Sequence, residues 1–298
     1  MASFLLLMVC LLLGMAVAHL AHPPSGLARS LNWWVLNIAL PATVLAIIPT
    51  LQFSASLWFL AASLWLTFIC AWLLFHRLGV YCNWSRDTIG ALVLVAGLGN
   101  TSFVGFPLIE ALRGKEALTY AAIADQVGTF MAISIGGTLV VAVYTGGQTS
   151  ARIITRKVLS FPPFIALMVA LLVSLTPGWP GLINDLLNRI GNTLAPLALF
   201  SVGLQLQLKS IRHQTQTLLA GLSWKLGIAP LLVLSCGWLL HIEPPILTVT
   251  LLEAAMAPMI SAAILAEQHN LNPPLANMMV GLGILLSFIT VPLWNLLV

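Results

Sequence analysis

The apolar stretch at residues 93–114 contains three consecutive polar residues, Asn100, Thr101 and Ser102. Their amide and hydroxyl groups could coordinate a small solute or an ion. Several glycines and Pro107 lie around them, and such residues weaken or interrupt helices. In a bilayer, each backbone group that an interruption frees must find a partner in the protein or in a watery cavity. The stretch therefore predicts one half of a solute-binding site.

Two carboxylates add ionic chemistry. Glu253 lies in the apolar stretch 251–268, five residues before Pro258, and Asp125 lies in another apolar run. An ionisable residue inside a bilayer is costly and usually functional. We predict that Glu253 and Asp125 accept a proton or bind sodium during coupled transport. The alternative for Glu253 is a protonated carboxyl bonded to a neighbouring helix, and the alternative for Asp125 is a hydrated position near a span end.

The elements that position these residues are predicted to be membrane helices. Of the 298 residues, 60% are hydrophobic and 7% are charged, whereas a soluble domain has about 25% charged residues. Apolar runs indicate ten spans, at residues 3–21, 31–50, 56–76, 88–112, 117–144, 159–176, 190–208, 217–240, 246–267 and 274–297. We therefore expect an all-α integral membrane protein. No Lys or Arg precedes the first run, so we interpret it as a retained helix rather than a signal peptide.

The Lys and Arg residues predict the orientation. Eight fall in loops after odd-numbered spans, three fall in the other loops, and Lys225 lies inside a span. The positive-inside rule then places both termini outside, in the periplasm if the membrane is a bacterial inner (plasma) membrane. For Lys225 we favour a side chain that reaches toward the cytoplasmic side over one that offsets a buried carboxylate. The net charge of +4 is spread over loops, so no nucleic-acid partner is expected.

Two landmarks recur along the chain. The pattern N-x-x-x-P occurs at residues 37–41 in span 2 and at residues 192–196 in span 7. The corresponding in-span prolines, Pro107 and Pro258, follow these motifs after 66 and 62 residues. Two landmarks with nearly the same spacing indicate that the halves of the chain are related.

Five spans in each half would give the halves opposite orientations. We predict two inverted repeats, residues 1–148 and 149–298, that together form one membrane domain. Spans 4 and 9 should unwind near Pro107 and Pro258 and cross at the bilayer midplane, as discontinuous helices do in secondary transporters. The free N–H groups of half-helices there would suit an anion such as a carboxylate.

Several segments resemble the auxin efflux carrier family of membrane transport proteins. They are G-N-T-S-F-V-G-F-P-L at 99–108, L-E-A-A-M-A-P at 252–258, the N-x-x-x-P motif at 37–41, and S-F-I-T-V-P-L-W at 287–294. The resemblance covers spans 1 to 10 and implies ten helices in two inverted five-helix repeats, with a scaffold part and a transport part. It also implies alternating access for an organic anion, and it suggests a homodimer. The short central loop is similar to that of bacterial members, some assigned to malonate and other carboxylates, rather than to that of plant auxin exporters.

The resemblance also implies that Asn37 and Asn192 line the site, although each could instead form a helix–helix hydrogen bond. The complete set of predicted substrate-binding residues is Asn100, Thr101, Ser102, Gly105, Asn37, Asn192 and Met259. The alternative for the polar segment is a cap of a local kink. Pro107 and Pro258 are predicted to break the crossing helices rather than to touch the substrate.

We therefore expect a secondary transporter of a small organic anion, not an enzyme, with no cofactor beyond a coupled proton or sodium ion. The histidines and cysteines show no metal-ligand spacing, and no Gly-Lys-Ser/Thr nucleotide motif occurs. One alternative is a sodium-coupled symporter of bile-acid-carrier type. Another is a membrane sensor or assembly subunit that binds a ligand without moving it. A third is an intramembrane enzyme, for which Asp125 and Glu253 are the only candidate pair.

Overall fold

The computed structural model describes residues 2–21, 23–51, 54–146, 150–206 and 214–298. Within these residues we number fourteen helices: α1 (Ala2–Leu20), α2 (Leu27–Thr50), α3 (Ala55–Tyr81), α4 (Arg86–Gly97), α5 (Phe106–Arg113), α6 (Ala117–Thr145), α7 (Ala151–Leu159), α8 (Pro162–Val173), α9 (Gly181–Gly191), α10 (Leu194–Gln205), α11 (Thr215–Leu239), α12 (Pro244–Ala254), α13 (Ile260–Gln268) and α14 (Pro273–Asn295). These described residues form no β-strand, and their only β-type pairing is one isolated bridge.

The helices have the length and composition of membrane spans. Five helices of the described part of the chain, α2, α3, α6, α11 and α14, are long and apolar enough to cross a membrane. They correspond to predicted spans 2, 3, 5, 8 and 10. Shorter apolar helices lie within α1, α8 and α12. Large apolar side chains such as Leu73, which is 60% exposed, face outward, which suits lipid rather than water. The expected all-helical membrane fold is confirmed at this level.

Two helices were not expected from the apolar runs. Helix α7 lies in the predicted hydrophilic midpoint, and α9 precedes most of predicted span 7. Both are amphipathic: α7 reads ARIITRKVL and α9 reads GLINDLLNRIG. A search for continuous apolar runs misses such helices because polar residues interrupt their apolar face.

The chain folds into two compact units. Unit 1 comprises Met1–Ser54, Ser102–Ala122 and Val158–Leu206, and unit 2 comprises Ala55–Thr101, Ile123–Lys157 and Gln207–Val298. Each unit therefore takes segments from both predicted halves of the chain. The internal symmetry of those halves stays a prediction.

Unit 1 depends on close helix packing at two glycines. Helix α1 packs along α10, and a Cβ atom at Gly14 would lie 2.2 Å from the carbonyl oxygen of Phe200. Likewise, a Cβ atom at Gly203 would lie 2.2 Å from the carbonyl oxygen of Leu11. Small residues of this kind let two membrane helices approach backbone to backbone. Elsewhere in the unit, α2 packs against α8 and α9.

Unit 2 is built around α4. All residues from Thr88 to Gly97 are buried, and α3, the end of α6, α13 and α14 pack against this helix. Glycines make room for the large ring of Phe68: a Cβ atom at Gly136 would lie 2.4 Å from it. The end of α4, where the first candidate segment begins, is therefore deep in the unit.

Five π-helical turns occur within the described residues, at Val35–Ala39, Thr101–Gly105, Ala124–Thr129, Ala132–Gly137 and Trp224–Ile228. In three cases a proline follows two residues later, at Pro41, Pro107 and Pro230. Proline has no N–H and clashes with the carbonyl four residues earlier, and a wider turn relieves that clash. In unit 2, the Leu226 carbonyl that Pro230 leaves without a donor accepts a hydrogen bond from Trp294 Nε1 at 2.8 Å.

The glycine contact of unit 1 gives a direct stability prediction. Replacement Gly203→Ala should destabilise the protein by about 1–3 kcal/mol, because the added methyl overlaps a backbone atom that can move only with its helix. The measurement is thermal unfolding of purified protein in detergent. The matched control is Gly227→Ala in α11, where a Cβ atom meets no heavy atom within 4 Å. A Gly203→Ala variant as stable as this control would contradict the α1–α10 packing.

Candidate functional site

Both segments that the sequence singles out are interrupted in unit 2. Helix α4 ends at Gly97, and Leu98 is extended, with φ −114° and ψ 131°. Helix α12 ends at Ala254, and Met259 is extended, with φ −74° and ψ 126°, just before α13 begins. The expected interruptions are therefore present in both segments.

The two interrupted segments bond to each other through their backbones. The amide of Asn100 donates to the carbonyl of Ala257 at 2.8 Å, and the amide of Met259 donates to the carbonyl of Leu98 at 3.1 Å. These bonds form an antiparallel bridge. Each break thus supplies the partners that the other break needs, which is the condition for such a break in lipid.

Two glycines allow this approach. Gly99 lies opposite Pro258 in the bridge, and a Cβ atom at Gly99 would lie 3.0 Å from Lys225 Nζ and 3.2 Å from the Glu253 carbonyl oxygen. On the other side, a Cβ atom at Gly283 of α14 would lie 2.2 Å from Pro258 Cδ. A side chain at either position would push the bridge away from its surroundings.

The predicted break at Pro107 is wrong. The interruption lies at residues 98–100, whereas Pro107 follows the π-helical turn Thr101–Gly105 within continuous helical backbone, and the wider turn accommodates the proline. Gly97 and Gly99 account for the break, because glycine is a poor helix former and permits close backbone contact. Pro258, in contrast, lies inside the break of the second segment, as expected.

Asp125 lies in unit 2 and is 2% exposed. Its π-helical turn, Ala124–Thr129, belongs to α6. Thr101 Oγ1 donates to one carboxylate oxygen of Asp125, and Gln126 Nε2 donates to the other at 2.6 Å. The alternative of a hydrated span-end position is therefore excluded. Thr101, directly after the first break, is linked to this carboxylate.

Lys225 corrects another prediction. It lies in the π-helical turn Trp224–Ile228 of α11, is 2% exposed, and does not extend to the surface. Its Nζ donates to the carbonyl of Ala254 at 2.9 Å. Ala254 ends α12, and the last carbonyls of a helix lack intrahelical partners and form the negative end of its dipole. The break in the second segment therefore creates the acceptor that holds the lysine inside.

Glu253 is the next residue back along α12 and is 0% exposed. Neither of its carboxyl oxygens has a hydrogen-bond partner among the described residues, and Asp125 and Lys225 lie within electrostatic range. A buried carboxylate without hydrogen bonds is costly as an anion. The position therefore suits the uptake of a proton or a cation. No group of three His, Cys, Asp or Glu side chains that could hold a metal ion occurs in the described part of the chain.

The other predicted site residues divide between the units. Asn100 and Met259 lie in the bridged segments of unit 2, whereas Ser102 and Gly105 belong to unit 1. Asn37, also in unit 1, donates through Nδ2 to the carbonyl of Trp33 at 2.8 Å. This bond lies within α2, so it is not the helix–helix bond considered as an alternative.

Asn192 directly follows the last residue of α9 in unit 1, where its Oδ1 accepts a hydrogen bond from Lys115 Nζ at 2.9 Å. It is exposed. A substrate role for Asn37, Asn192, Ser102 and Gly105 stays a prediction. The structure places Asn100 and Thr101 in unit 2, together with the buried charged residues of that unit. The other four residues belong to unit 1.

Sequence reasoning missed the inward role of Lys225 and the contribution of Gln126. A usable signal existed for Lys225: it is the only lysine or arginine inside a predicted span, in a chain whose spans also contain two central carboxylates. Charge balance in a low-dielectric interior favours pairing these groups. The π-helical turns that carry Asp125 and Lys225 had no recognised sequence signal, although such turns are frequent at functional sites.

Removal of the buried lysine charge should be strongly destabilising. Replacement Lys225→Met leaves the Ala254 carbonyl without its donor and two carboxyl groups without a cation, at a cost of about 3–5 kcal/mol in unfolding free energy. The double variant Lys225→Met/Glu253→Gln should lose less than the sum of the single effects, because one uncompensated charge is removed as well. Thermal or denaturant unfolding in detergent measures both. The control is Lys115→Met at an exposed position. Equal losses of unfolding free energy in Lys225→Met and Lys115→Met would contradict the buried contact between Lys225 and the Ala254 carbonyl.

Comparison with known proteins relates this chain to membrane transporters. The family model described as "Membrane transport protein" matches the chain twice, at residues 3–150 and 148–295. An uncharacterized transporter of Methanothermobacter thermautotrophicus is 31% identical over 206 residues, covering 68% of this chain and 66%, just under two thirds, of that protein. An uncharacterized transporter of Methanocaldococcus jannaschii is 25% identical over 280 residues, with 90% and 89% coverage. The uncharacterized transporter YfdV of Escherichia coli is 25% identical over 282 residues, with 90% and 87% coverage.

The two family matches together span nearly the whole chain, and they agree with the resemblance in the motifs at 99–108 and 252–258. The family is one of membrane transporters rather than enzymes, and the apolar helices make the chain a multi-pass membrane protein. The chain belongs to the membrane transport protein family that includes the auxin efflux carriers.

Proposed function

We propose that this protein is a secondary transporter that moves a small organic anion, a carboxylate, by alternating access. The observation that carries the proposal is the backbone bridge between the two interrupted segments of unit 2, with Asp125, Lys225 and Glu253 buried around it. Interrupted helices that meet inside the protein are the usual substrate sites of secondary transporters.

The proposed topology has ten spans in two inverted repeats. It assigns one span each to α1, α2, α3, α6, α8, α11 and α14, and one span to each of the pairs α4–α5, α9–α10 and α12–α13. Helix α7 then connects the halves. The two family matches, each covering about half of the chain, support related halves. In this proposal both termini lie outside a bacterial inner membrane, and a homodimer is the expected assembly.

In the proposed mechanism, unit 1 is the scaffold and unit 2 is the transport part. Unit 2 contains both interrupted segments and the three buried charged residues, so a movement of this unit would carry them together. Discontinuous helices around a fixed binding site support movement of one rigid part against another. The bound anion would use the side-chain amide donors of Asn100, and Thr101 would have to exchange its hydrogen bond to Asp125 for one to the anion.

The charges of unit 2 give a reason for coupling. With all three residues ionised, Asp125 and Glu253 outweigh Lys225, and the site repels an anion. A proton or a cation on Glu253 removes that excess of negative charge. Lys225 already bonds the carbonyl that ends α12, and a sodium ion would need such oxygens as ligands. This contact supports a proton in preference to sodium as the coupling ion.

Ligand binding tests the substrate class. Purified protein should be stabilised against heat by one or more members of a panel of mono- and dicarboxylates that includes malonate. The corresponding neutral amides should stabilise it less, because they lack the charge that the donors and Lys225 attract. The measurement is the shift in Tm. Equal shifts for acids and amides would contradict an anion site.

Transport tests the role of Glu253. In proteoliposomes, Glu253→Gln should abolish uptake of the stabilising carboxylate that an imposed pH gradient drives, or reduce it to exchange without accumulation, because glutamine cannot carry the coupled proton. The control Glu267→Gln changes an exposed carboxylate on the neighbouring α13 and should leave uptake unchanged.

Three outcomes would contradict parts of this proposal. Gradient-driven uptake in Glu253→Gln equal to that of the unchanged protein would remove the coupling role. Uptake that requires a sodium gradient would favour the symporter of bile-acid-carrier type. Carboxylate binding without transport by the unchanged protein would favour a sensor or assembly subunit.

A further inference from the structure

Unit 1 contains an open cleft whose residues are all different from those of the unit 2 cluster, and its empty space of about 360 Å³ includes open solvent. Its walls come from α2, α5, α6, α9 and α10. One part of the lining is apolar, with Ile47, Phe106 and Leu118. The rest carries polar groups, including Glu110, Lys115 and Asn192. A largely apolar cavity with a few convergent polar groups is the usual form of a small-molecule site.

The polar lining of the cavity includes one cationic residue, Lys115, and one anionic residue, Glu110. Lys115 Nζ donates to Asn192 Oδ1 at 2.9 Å, so the ammonium lies beside the amide, whose NH₂ is a further donor. Glu110 is half-buried on α5 and lies within electrostatic range of Lys115. The cavity therefore presents an acceptor carboxylate and a pair of donors over an apolar wall.

This combination selects against ligands with a single charge. A ligand with only a carboxylate is attracted by Lys115 and repelled by Glu110. A ligand with only an ammonium group is attracted by Glu110 and repelled by Lys115. A zwitterion can satisfy both charged groups, and charge complementarity of this kind determines specificity. We propose that the unit 1 cavity binds an apolar α-amino acid. Its carboxylate bonds Lys115 and Asn192, its ammonium bonds Glu110, and its side chain packs against Ile47 and the neighbouring apolar residues.

The cavity has a fixed shape on the side of α9. A Cβ atom at Gly191 would lie 2.7 Å from Thr43 Oγ1 and 3.3 Å from the Thr43 backbone, and both residues line the cavity. Gly191→Ala would therefore displace α9, and with it the adjacent Asn192, without any change in charge. This variant separates the shape of the site from its electrostatics.

The proposal goes beyond the transport function and does not depend on it. The test is equilibrium binding of radiolabelled L-leucine to the purified full-length protein. Competition by isocaproate, which lacks the amino group, and by isoamylamine, which lacks the carboxylate, measures the selectivity. L-leucine should bind at least about tenfold more tightly than either analogue, since each analogue leaves one charged group of the cavity unpaired.

Charge-removing variants should reverse this preference. Glu110→Gln should improve isocaproate relative to L-leucine, and Lys115→Met should improve isoamylamine relative to L-leucine. Gly191→Ala should weaken L-leucine, while Gly181→Ala at the start of the same helix, where a Cβ atom meets nothing within 4 Å, should not.

Two results would overturn the proposal. One is failure of L-leucine to bind more tightly than its analogues. The other is loss of L-leucine binding in Glu253→Gln but not in the cavity variants, which would place the amino acid in the unit 2 cluster. The Tm of every variant shows whether a loss of L-leucine binding comes from unfolding. If a variant is unfolded, the ratio of L-leucine affinity to analogue affinity in the folded variants tests the proposal.

Discussion

Two interrupted helices in unit 2 satisfy each other's backbone groups, through the amides of Asn100 and Met259 and the carbonyls of Ala257 and Leu98. In hydrocarbon, an unpaired backbone group costs several kcal/mol, so neither interruption is stable alone. Their pairing allows non-helical backbone in the interior of a membrane protein. The absence of a side chain at Gly99 permits the pairing, because the space that a Cβ atom would take lies against Lys225 and Glu253. The rest of the candidate site depends on this contact.

The electrostatics of the site follow from the same breaks. The end of α12 offers the carbonyl that holds Lys225, and Thr101, just past the first break, donates to Asp125. Glu253 is buried next to that carbonyl and, among the described residues, has no hydrogen-bond donor for either carboxyl oxygen. Of the three buried ionisable groups, Glu253 is therefore the one that can take up or release a proton or a cation. A membrane transport protein needs such a group if its substrate is an anion and its energy comes from an ion gradient.

The sequence was sufficient for the membrane fold and for the interrupted segments, because long apolar runs and clustered glycines have direct physical consequences in lipid. It also identified Asp125 and Glu253, since carboxylates are rare in spans. It misplaced the first break at Pro107, because the π-helical turn Thr101–Gly105 accommodates the proline within the helix. It predicted that the Lys225 side chain extends toward the cytoplasmic side. That prediction was wrong because the acceptor, the Ala254 carbonyl at the end of α12, is recognisable only in the three-dimensional structure. The π-helical turns and the helices α7 and α9 depend on packing and on amphipathic patterns that apolar runs do not report.

The most direct test of the paired interruptions is a disulfide across the bridge. Leu98 and Met259 are opposite residues joined by a hydrogen bond of the antiparallel pairing, a geometry with Cα atoms about 5.5 Å apart, within the range of a disulfide. In a background without the free cysteines Cys10, Cys70, Cys82 and Cys236, the double variant Leu98→Cys/Met259→Cys should lose both thiols on mild oxidation, as measured by maleimide labelling after denaturation. The single variants and the pair Leu98→Cys/Ile264→Cys should keep theirs. If both thiols of the first pair stay reactive while the protein is folded, the two segments do not meet as described.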